Sequence, residues 1–299
     1  NSGGSSPWGR LTMPALSPAR IGIIGGSGVY GLEGLNDIQS VAIDTPWGAP
    51  SDELLLGTLD GIPVAFLPRH GRGHRVTPSE VPYHANIYAL RSLGVQRVLS
   101  VSAVGSLCHE YAPGDFVMVD QFIDRTLRRG ATFFGDGIVA HVPLADPVCA
   151  EMAAAVMRSG SDLPVKIFSG GAYVCIEGPQ FSTRAESELY RSWGAKIVGM
   201  TNATEARLAR EAGMSFACIA MVTDFDCWHP EHDDVDVAAV VATAKQNASA
   251  VRELVTRSIP VLDALGPSPW RGVLDSAVMT AHDCITTAAI ERTAALFSD

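Results

Sequence analysis

Residues 21–34 read IGIIGGSGVYGLEG, and the fold turns on the segment that comes after this glycine loop. Taken literally, Gly26-Ser27-Gly28-Val29-Tyr30-Gly31 matches the dinucleotide fingerprint G-x-G-x-x-G, and Asp44 falls near the distance expected of a ribose-binding acid. That match proposes a dinucleotide-dependent oxidoreductase. Such a fold needs a helix to begin inside the loop, so that its N-terminal N–H groups face the pyrophosphate. Residues 29–48, VYGLEGLNDIQSVAIDTPWG, carry glycines at 31 and 34 and no apolar i, i+3, i+4 face long enough for a crossover helix. Asp44 runs directly into Thr45-Pro46-Trp47-Gly48, which reads as a turn. The loop therefore suits inorganic phosphate or a single phosphoryl group better than a dinucleotide.

Short apolar runs of strand length recur at 21–24, 62–68, 98–104, 116–123, 172–176, 196–200 and 215–223. They are mostly continuous rather than alternating, as in strands covered on both faces. Segments with helical spacing lie between them at 84–93, 146–159, 183–193, 204–212 and 236–258, with another near 275–297. In the fourth, Thr204 precedes a charged first turn and Gly213 stands where a C-cap glycine belongs. The alternation predicts an α/β fold with a largely buried sheet. No linker or composition shift divides the chain, so a single domain is expected over 13–299. Residues 1–12, NSGGSSPWGRLT, lack an initiator Met and an apolar signal core; they read as a flexible or added extension, with Met13 as the natural start.

With 299 residues, 47% of them hydrophobic and 18% charged, the chain can fill a substantial core. Its formal net charge of −10 and pI near 5.2 argue against a broad nucleic-acid or anionic-membrane surface, so any anion must be caught locally. No apolar run approaches the roughly 18 residues of a membrane span. Cys108, Cys149, Cys175, Cys218, Cys227 and Cys284 are widely spaced without a C-x-x-C pair. They are expected to be reduced thiols in a cytoplasmic protein.

Two further loops can donate to one anion. FLPRHGRGH (66–74) delivers Arg69, His70, Arg72 and His74 directly after a strand-like run, and a guanidinium fork matches phosphate oxygens. SVSAVGSL (100–107) offers Ser102 and the amides near Ala103 and Gly105. Ligands of α/β proteins gather at such strand ends. A different chemistry stands at the last strand. SFACIAMVTDFDCW (215–228) carries Asp224 and Asp226, and in a persisting extended chain residues i and i+2 address one side. A solvated turn would also use such a D-x-D. A metal site is not indicated, because His229 and His232 lie in the acidic stretch HPEHDDVD (229–236) without a complementary ligand set.

The motifs IGIIGGSG, TPWGAPSD, RHGRGH, ANIYALRSLG, AVGSL, PGDFVMVDQFIDRT, IEGPQFSTRAES, GMTNATEARLAREAG and MVTDFDCW together resemble the 5′-methylthioadenosine phosphorylases of the trimeric purine nucleoside phosphorylase superfamily. The likeness runs from about Ile21 to about Arg257. It implies a nucleoside phosphorylase-like fold, with a central mixed twisted β-sheet flanked by helices. It also implies phosphorolysis of 5′-methylthioadenosine to adenine and 5-methylthioribose 1-phosphate, with inorganic phosphate as co-substrate and no cofactor or metal.

Carried over by position, the resemblance gives phosphate to Ser27, Arg69, His70, Ser102, the Ala103 amide and Thr201, and lays Met200 against the ribose. Asp224 is the implied catalytic acid at purine N7, with Asp226 accepting from the 6-amino group and Phe181 covering the base. His74, Val237, Val240 and a neighbouring subunit's His141 complete the methylthio pocket of a homotrimer. Two departures flank the ribose and base: Gln180 stands where Arg is usual, and Asn202-Ala203-Thr204 where Thr-Val-Pro is usual. They keep open a 6-oxopurine-preferring methylthioinosine or purine nucleoside phosphorylase. A non-catalytic nucleoside-binding protein is the third reading.

Overall fold

The computed structural model describes residues 19–26, 34–232 and 235–297. The glycine-loop tip, including Ser27, and the N-terminal extension lie outside the described residues. After β1 (Ile21–Gly25), the next described element is the strand β2 (Leu35–Val41), paired antiparallel with β3 (Leu54–Leu59), which itself turns back into β4 (Ile62–Pro68). An antiparallel excursion thus occupies the place where a dinucleotide-binding unit needs its crossover helix, and the literal fingerprint loses its structural context.

One mixed sheet organises the chain. Its main path runs β2-β3-β4-β1-β5-β10-β9-β7, where β5 is Arg97–Ser106, β7 Gln121–Asp124, β9 Ala172–Cys175 and β10 Ile197–Gly199. A branch leaves β5 through β11 (Ser215–Asp224) to β6 (Phe116–Met118) and β8 (Ile167–Ser169). The long strands β5 and β11 run parallel in register from Arg97↔Ser215 to Ala103↔Met221, and both are buried almost end to end. Val, Ile and Ala on both faces of these strands are covered by helices, the arrangement that continuous apolar runs require.

The helices are α1 (Tyr83–Ser92), α2 (Ala150–Ser159), α3 (Arg184–Ser192), α4 (Asn202–Glu211), α5 (Val237–Asp263) and α6 (Thr287–Thr293). α5 buries Val251, Leu254, Val255, Ile259 and Leu262, spaced three and four apart, against the core.

Several sequence boundaries are corrected. The run 116–123 is two strands, β6 and β7, on different branches of the sheet. β2, β3 and β8 escape the apolar-run criterion because β2 is mostly exposed and β8 is three residues long. Residues 146–149 are not helical, and α5 continues past the expected end at 258 through Pro260 to Asp263. The segment 275–297 breaks into short 3₁₀ turns around α6. α4 begins two residues before Thr204, which is fully buried inside it, while Gly213 does take the left-handed conformation (φ +68°) expected after a helix C-cap. All six cysteines are free thiols.

Candidate active site

Strands β4, β1, β5 and β11 are mutually parallel through successive pairings, so their C-terminal ends open on one edge of the sheet. That edge collects Arg69 and His70 after β4, Ser102 and Ala103 on β5, and Asp224 at the end of β11. β10 runs antiparallel to β5, with Val198 opposite Gly105, and therefore carries Met200 and Thr201 back toward Ala103 and Ser102. Ala103 is the one exposed residue of β5. A gap in the covering layer thus lies where these loops converge.

On the anion side, Arg69 is 2% exposed. Its Nε and Nη2 donate to Glu205 Oε1 and Oε2 at 2.5 and 3.1 Å, Nη2 also to Ser100 Oγ at 2.6 Å, and Nη1 to the Val101 carbonyl at 2.9 Å. Burial works against the guanidinium charge, but the charge and hydrogen bonds of Glu205 outweigh it and hold the Arg69 pKa above its ordinary value. His70 is held neutral: burial first, then the Arg69 charge, push its pKa down to about 4, although Nδ1 lies 2.8 Å from the Val76 carbonyl. His74 stacks on it at 4.3 Å and is lowered for the same two reasons. Thr201 is buried beside Tyr173, whose hydroxyl accepts from the Thr201 amide at 3.4 Å and hydrogen-bonds Ser102.

Met200 is held through its main chain. The buried Arg129 guanidinium donates to the Met200 carbonyl, to the Glu177 carbonyl at 2.8 Å, to Glu177 Oε1 at 3.2 Å and to the Tyr83 hydroxyl at 3.1 Å. Burial opposes the Glu177 charge. The Ser79 hydroxyl, the Leu127 and Arg128 amides and the Arg129 charge nevertheless hold its pKa near 2. Gly178 comes next with φ +65°, and a Cβ there would stand 2.5 Å from Met200 Sδ, so the thioether rests on a glycine backbone.

The two carboxyls do come together, but not by strand alternation. β11 ends at Asp224, and Asp226 takes the left-handed conformation (φ +51°) in a turn that points its amide at Asp224 Oδ1, 2.8 Å away. Thr223 Oγ1 donates to Asp224 Oδ2 at 2.7 Å. Burial raises the Asp224 pKa against these two bonds. Asp226 is 4% exposed, and burial together with the Asp224 charge lifts its pKa to about 6 despite the nearby Ser187 and Ser182 hydroxyls. The Ser182 and Ser187 hydroxyls and Asp226 Oδ2 are all buried, two donors close to one carboxyl. Gly105 makes room for the pair: a Cβ there would stand 2.8 Å from Asp224 Oδ1 and 3.4 Å from Asp226 Cβ. Gly105→Ala should displace the Asp224 carboxylate and lower turnover at least tenfold, with a Tm loss set by the second contact, Val198 Cγ1 at 3.1 Å, which lies in the core. Steady-state kinetics beside thermal melts checks this; unchanged turnover would show that the carboxylate has room to move.

Phe181 is 40% exposed and lines a cleft of about 240 Å³ with Ser182, Thr183, Arg184, Cys227 and Val235. The loop enters α3 through a capping box, in which Thr183 Oγ1 accepts from the Glu186 amide and Glu186 accepts from the Thr183 amide. Val237 opens α5 at 68% exposure, and Val240 lies half-buried in its first turn. His141 is exposed, its amide donating to the Ala277 carbonyl at 2.9 Å. The edge therefore brings Arg69, His70, His74, Ser102, Ala103, Met200, Thr201, Asp224 and Asp226 into one neighbourhood. Phe181 borders it, and no bond ties Val237, Val240 or His141 to it among the described residues. Sequence reasoning passes over Glu205, Glu177, Arg129, Ser182 and Ser187, and reads Gly105 only for its amide. Glu177 and Ser182 flank the GPQF stretch, but a charged first turn such as that of Glu205 reads as an ordinary helix start.

From Ser102 to Gly105 the strand covers roughly 10 Å, separating the donors gathered around Arg69 from the two buried carboxyls. The family model of the phosphorylase superfamily matches residues 20–260. S-methyl-5′-thioadenosine phosphorylase of Geobacter sulfurreducens is 50% identical over 273 residues, covering 91% of this chain and 96% of that protein. The Cereibacter sphaeroides enzyme of the same name is 54% identical over 264 residues, 87% and 91% of the two chains. Among solved structures, a methylthioadenosine phosphorylase from an antarctic soil metagenomic library superposes with a TM-score of 0.90 at 47% identity, over 95% of this chain and all of that one. Methylthioadenosine phosphorylase from Schistosoma mansoni in complex with adenine gives 0.84 at 35% identity, over 88% and 100%. The chain belongs to the phosphorylase superfamily and, within it, to the S-methyl-5′-thioadenosine phosphorylases.

Proposed function

We propose that this protein cleaves S-methyl-5′-thioadenosine with inorganic phosphate, releasing adenine and 5-methylthioribose 1-phosphate, through the residues gathered at the sheet edge. The observation that carries the reading is the pairing, along one strand, of an anion-donor end with two carboxyls kept protonatable by burial. Phosphate is the nucleophile, so the protein supplies position rather than a reactive side chain. The glycine loop with Ser27, Arg69, neutral His70, Ser102, the Ala103 amide and Thr201 hold the phosphate below the anomeric carbon. Met200 lies against the ribose.

As the glycosidic bond breaks, its electron pair moves onto the purine, and Asp224 stabilises the charge by giving or sharing a proton at N7. Asp226 takes a hydrogen bond from the 6-amino group. A 6-oxopurine would present that oxygen with a second acceptor, so two aspartates favour adenine. Phe181 covers the base. His74, Val237 and Val240 form the side of the pocket toward the methylthio group. Free thiols fit a cytoplasmic setting. No described helix is long and apolar enough to cross a membrane.

Release of the free base, adenine or hypoxanthine, assayed with and without phosphate on methylthioadenosine, methylthioinosine, adenosine and inosine side by side, tests the activity and the base. Phosphate-independent release, or a preference for the inosine analogues, would overturn it. The same reading makes the enzyme a homotrimer in which the neighbour's His141 closes the nucleoside pocket; its exposure in a single chain leaves it available for that role. Sedimentation should give a trimer, and His141→Ala should raise the nucleoside KM several-fold with little effect on the phosphate KM. A fully active monomer would remove the shared site.

A further inference from the structure

Arg69 keeps few donors for phosphate. Of its five N–H groups, Nε and one on Nη2 grip Glu205, the other on Nη2 reaches Ser100, and one on Nη1 reaches the Val101 carbonyl. Bonds among the described residues leave a single Nη1 hydrogen, next to the residue that precedes Ser102. The Ser100 hydroxyl is equally committed: it accepts from Arg69 at 2.6 Å and from Asn202 Nδ2 at 2.7 Å, and donates to Glu205 Oε2 at 2.7 Å. Asn202 also donates to Glu205 Oε2 at 3.2 Å and receives the Thr201 hydroxyl at 3.4 Å. Glu205 is 2% exposed and stands in the first turn of α4, where the helix dipole favours an anion.

We propose that Glu205 is the positioning residue of the anion site: with Ser100 and Asn202 it fixes the Arg69 guanidinium in one plane and reserves the remaining Nη1 hydrogen for phosphate. The proposal rests on the reading of this edge as a phosphate site and deepens it. A carboxylate cancels the charge that would attract phosphate, so its presence at full bidentate contact makes sense as geometry rather than attraction. A planar fork held by two parallel bonds loses its rotational freedom before the ligand arrives. Asn202, one of the positions where this sequence leaves the usual family pattern, extends the same lattice to Thr201, another residue of the proposed cradle.

Charge and position give opposite expectations for Glu205→Gln. If Glu205 only neutralised Arg69, the variant would expose a fuller cation and lower the phosphate KM. Positioning predicts a rise, because the Gln amide presents hydrogens where Arg69 Nη2 and Asn202 need an acceptor. The experiment measures phosphate KM at saturating methylthioadenosine, methylthioadenosine KM at saturating phosphate, and the shift in Tm produced by inorganic phosphate. Glu205→Gln should raise the phosphate KM at least tenfold, leave the nucleoside KM within about threefold and abolish most of the phosphate-induced Tm shift; Glu205→Asp, which keeps the charge, should recover part of both. Should Glu205→Gln fail to fold, Ser100→Ala gives the same comparison, with a selective rise of about threefold or more expected. An unchanged or lower phosphate KM, or equal rises in both, overturns the positioning role. Loss of phosphate-dependent adenine release in the wild type would overturn the functional reading instead, and the phosphate-induced Tm shift still decides whether Glu205 organises the anion site.

Discussion

Asp224→Asn should lower turnover of methylthioadenosine by on the order of 10²-fold or more, the range that general acids supply. Burial already holds the Asp224 proton more tightly than an ordinary carboxyl does, and its neighbour Asp226 titrates near 6. Burial thus raises both carboxyls above the ordinary range, and the Asp224 charge contributes to the rise at Asp226. Asn keeps the shape and the bond from the Asp226 amide but has no proton to give. Its NH₂ can face a 6-oxo group, so methylthioinosine should improve relative to methylthioadenosine. Parallel turnover measurements on the two nucleosides check both parts. Near-normal turnover with unaltered base preference would remove Asp224 from the acid role.

The contrast between Asp224 and Glu205 shows what the sequence makes legible. Asp224 ends an apolar run, and a carboxylate at the end of a buried strand stands out as costly unless used. The same logic exposes Arg69-His70 and Ser102, each placed by a strand whose continuous apolar character is readable. Glu205 sits 136 residues from Arg69, in a segment rich in Ala, Glu and Arg that any surface helix could carry. Only the tertiary crossing of β4, β5 and α4 turns it into a buried partner. Asp226 is the intermediate case: its nearness to Asp224 is foreseeable, but it arises from a left-handed turn rather than from strand alternation. The antiparallel β2–β3 excursion is likewise visible in the sequence only as the missing crossover helix, since mostly exposed strand residues carry little periodic signal.

Removing Arg69 should produce a loss of similar size on the other substrate, together with a stability cost. A lost charged hydrogen bond is worth roughly 1.5–3 kcal/mol, which is about 10- to 100-fold in phosphate KM, while the methylthioadenosine KM should change far less. Arg69→Ala also leaves the Glu205 carboxylate, 2% exposed, without its bidentate partner. Breaking one side of a buried ion pair typically costs about 3–5 kcal/mol, a large share of the roughly 5–15 kcal/mol that holds a domain together. The two effects separate in the double variant Arg69→Ala/Glu205→Gln. Neutralising the stranded carboxylate should restore much of the Tm, because the destabilisation comes from the unpaired charge. It should leave phosphate affinity as poor as in Arg69→Ala alone, because the donor is gone. Kinetics and melts on the single and double variants read both quantities. If phosphate affinity returned along with Tm, Arg69 would be a structural residue and the anion would be bound by the other groups of the strand edge.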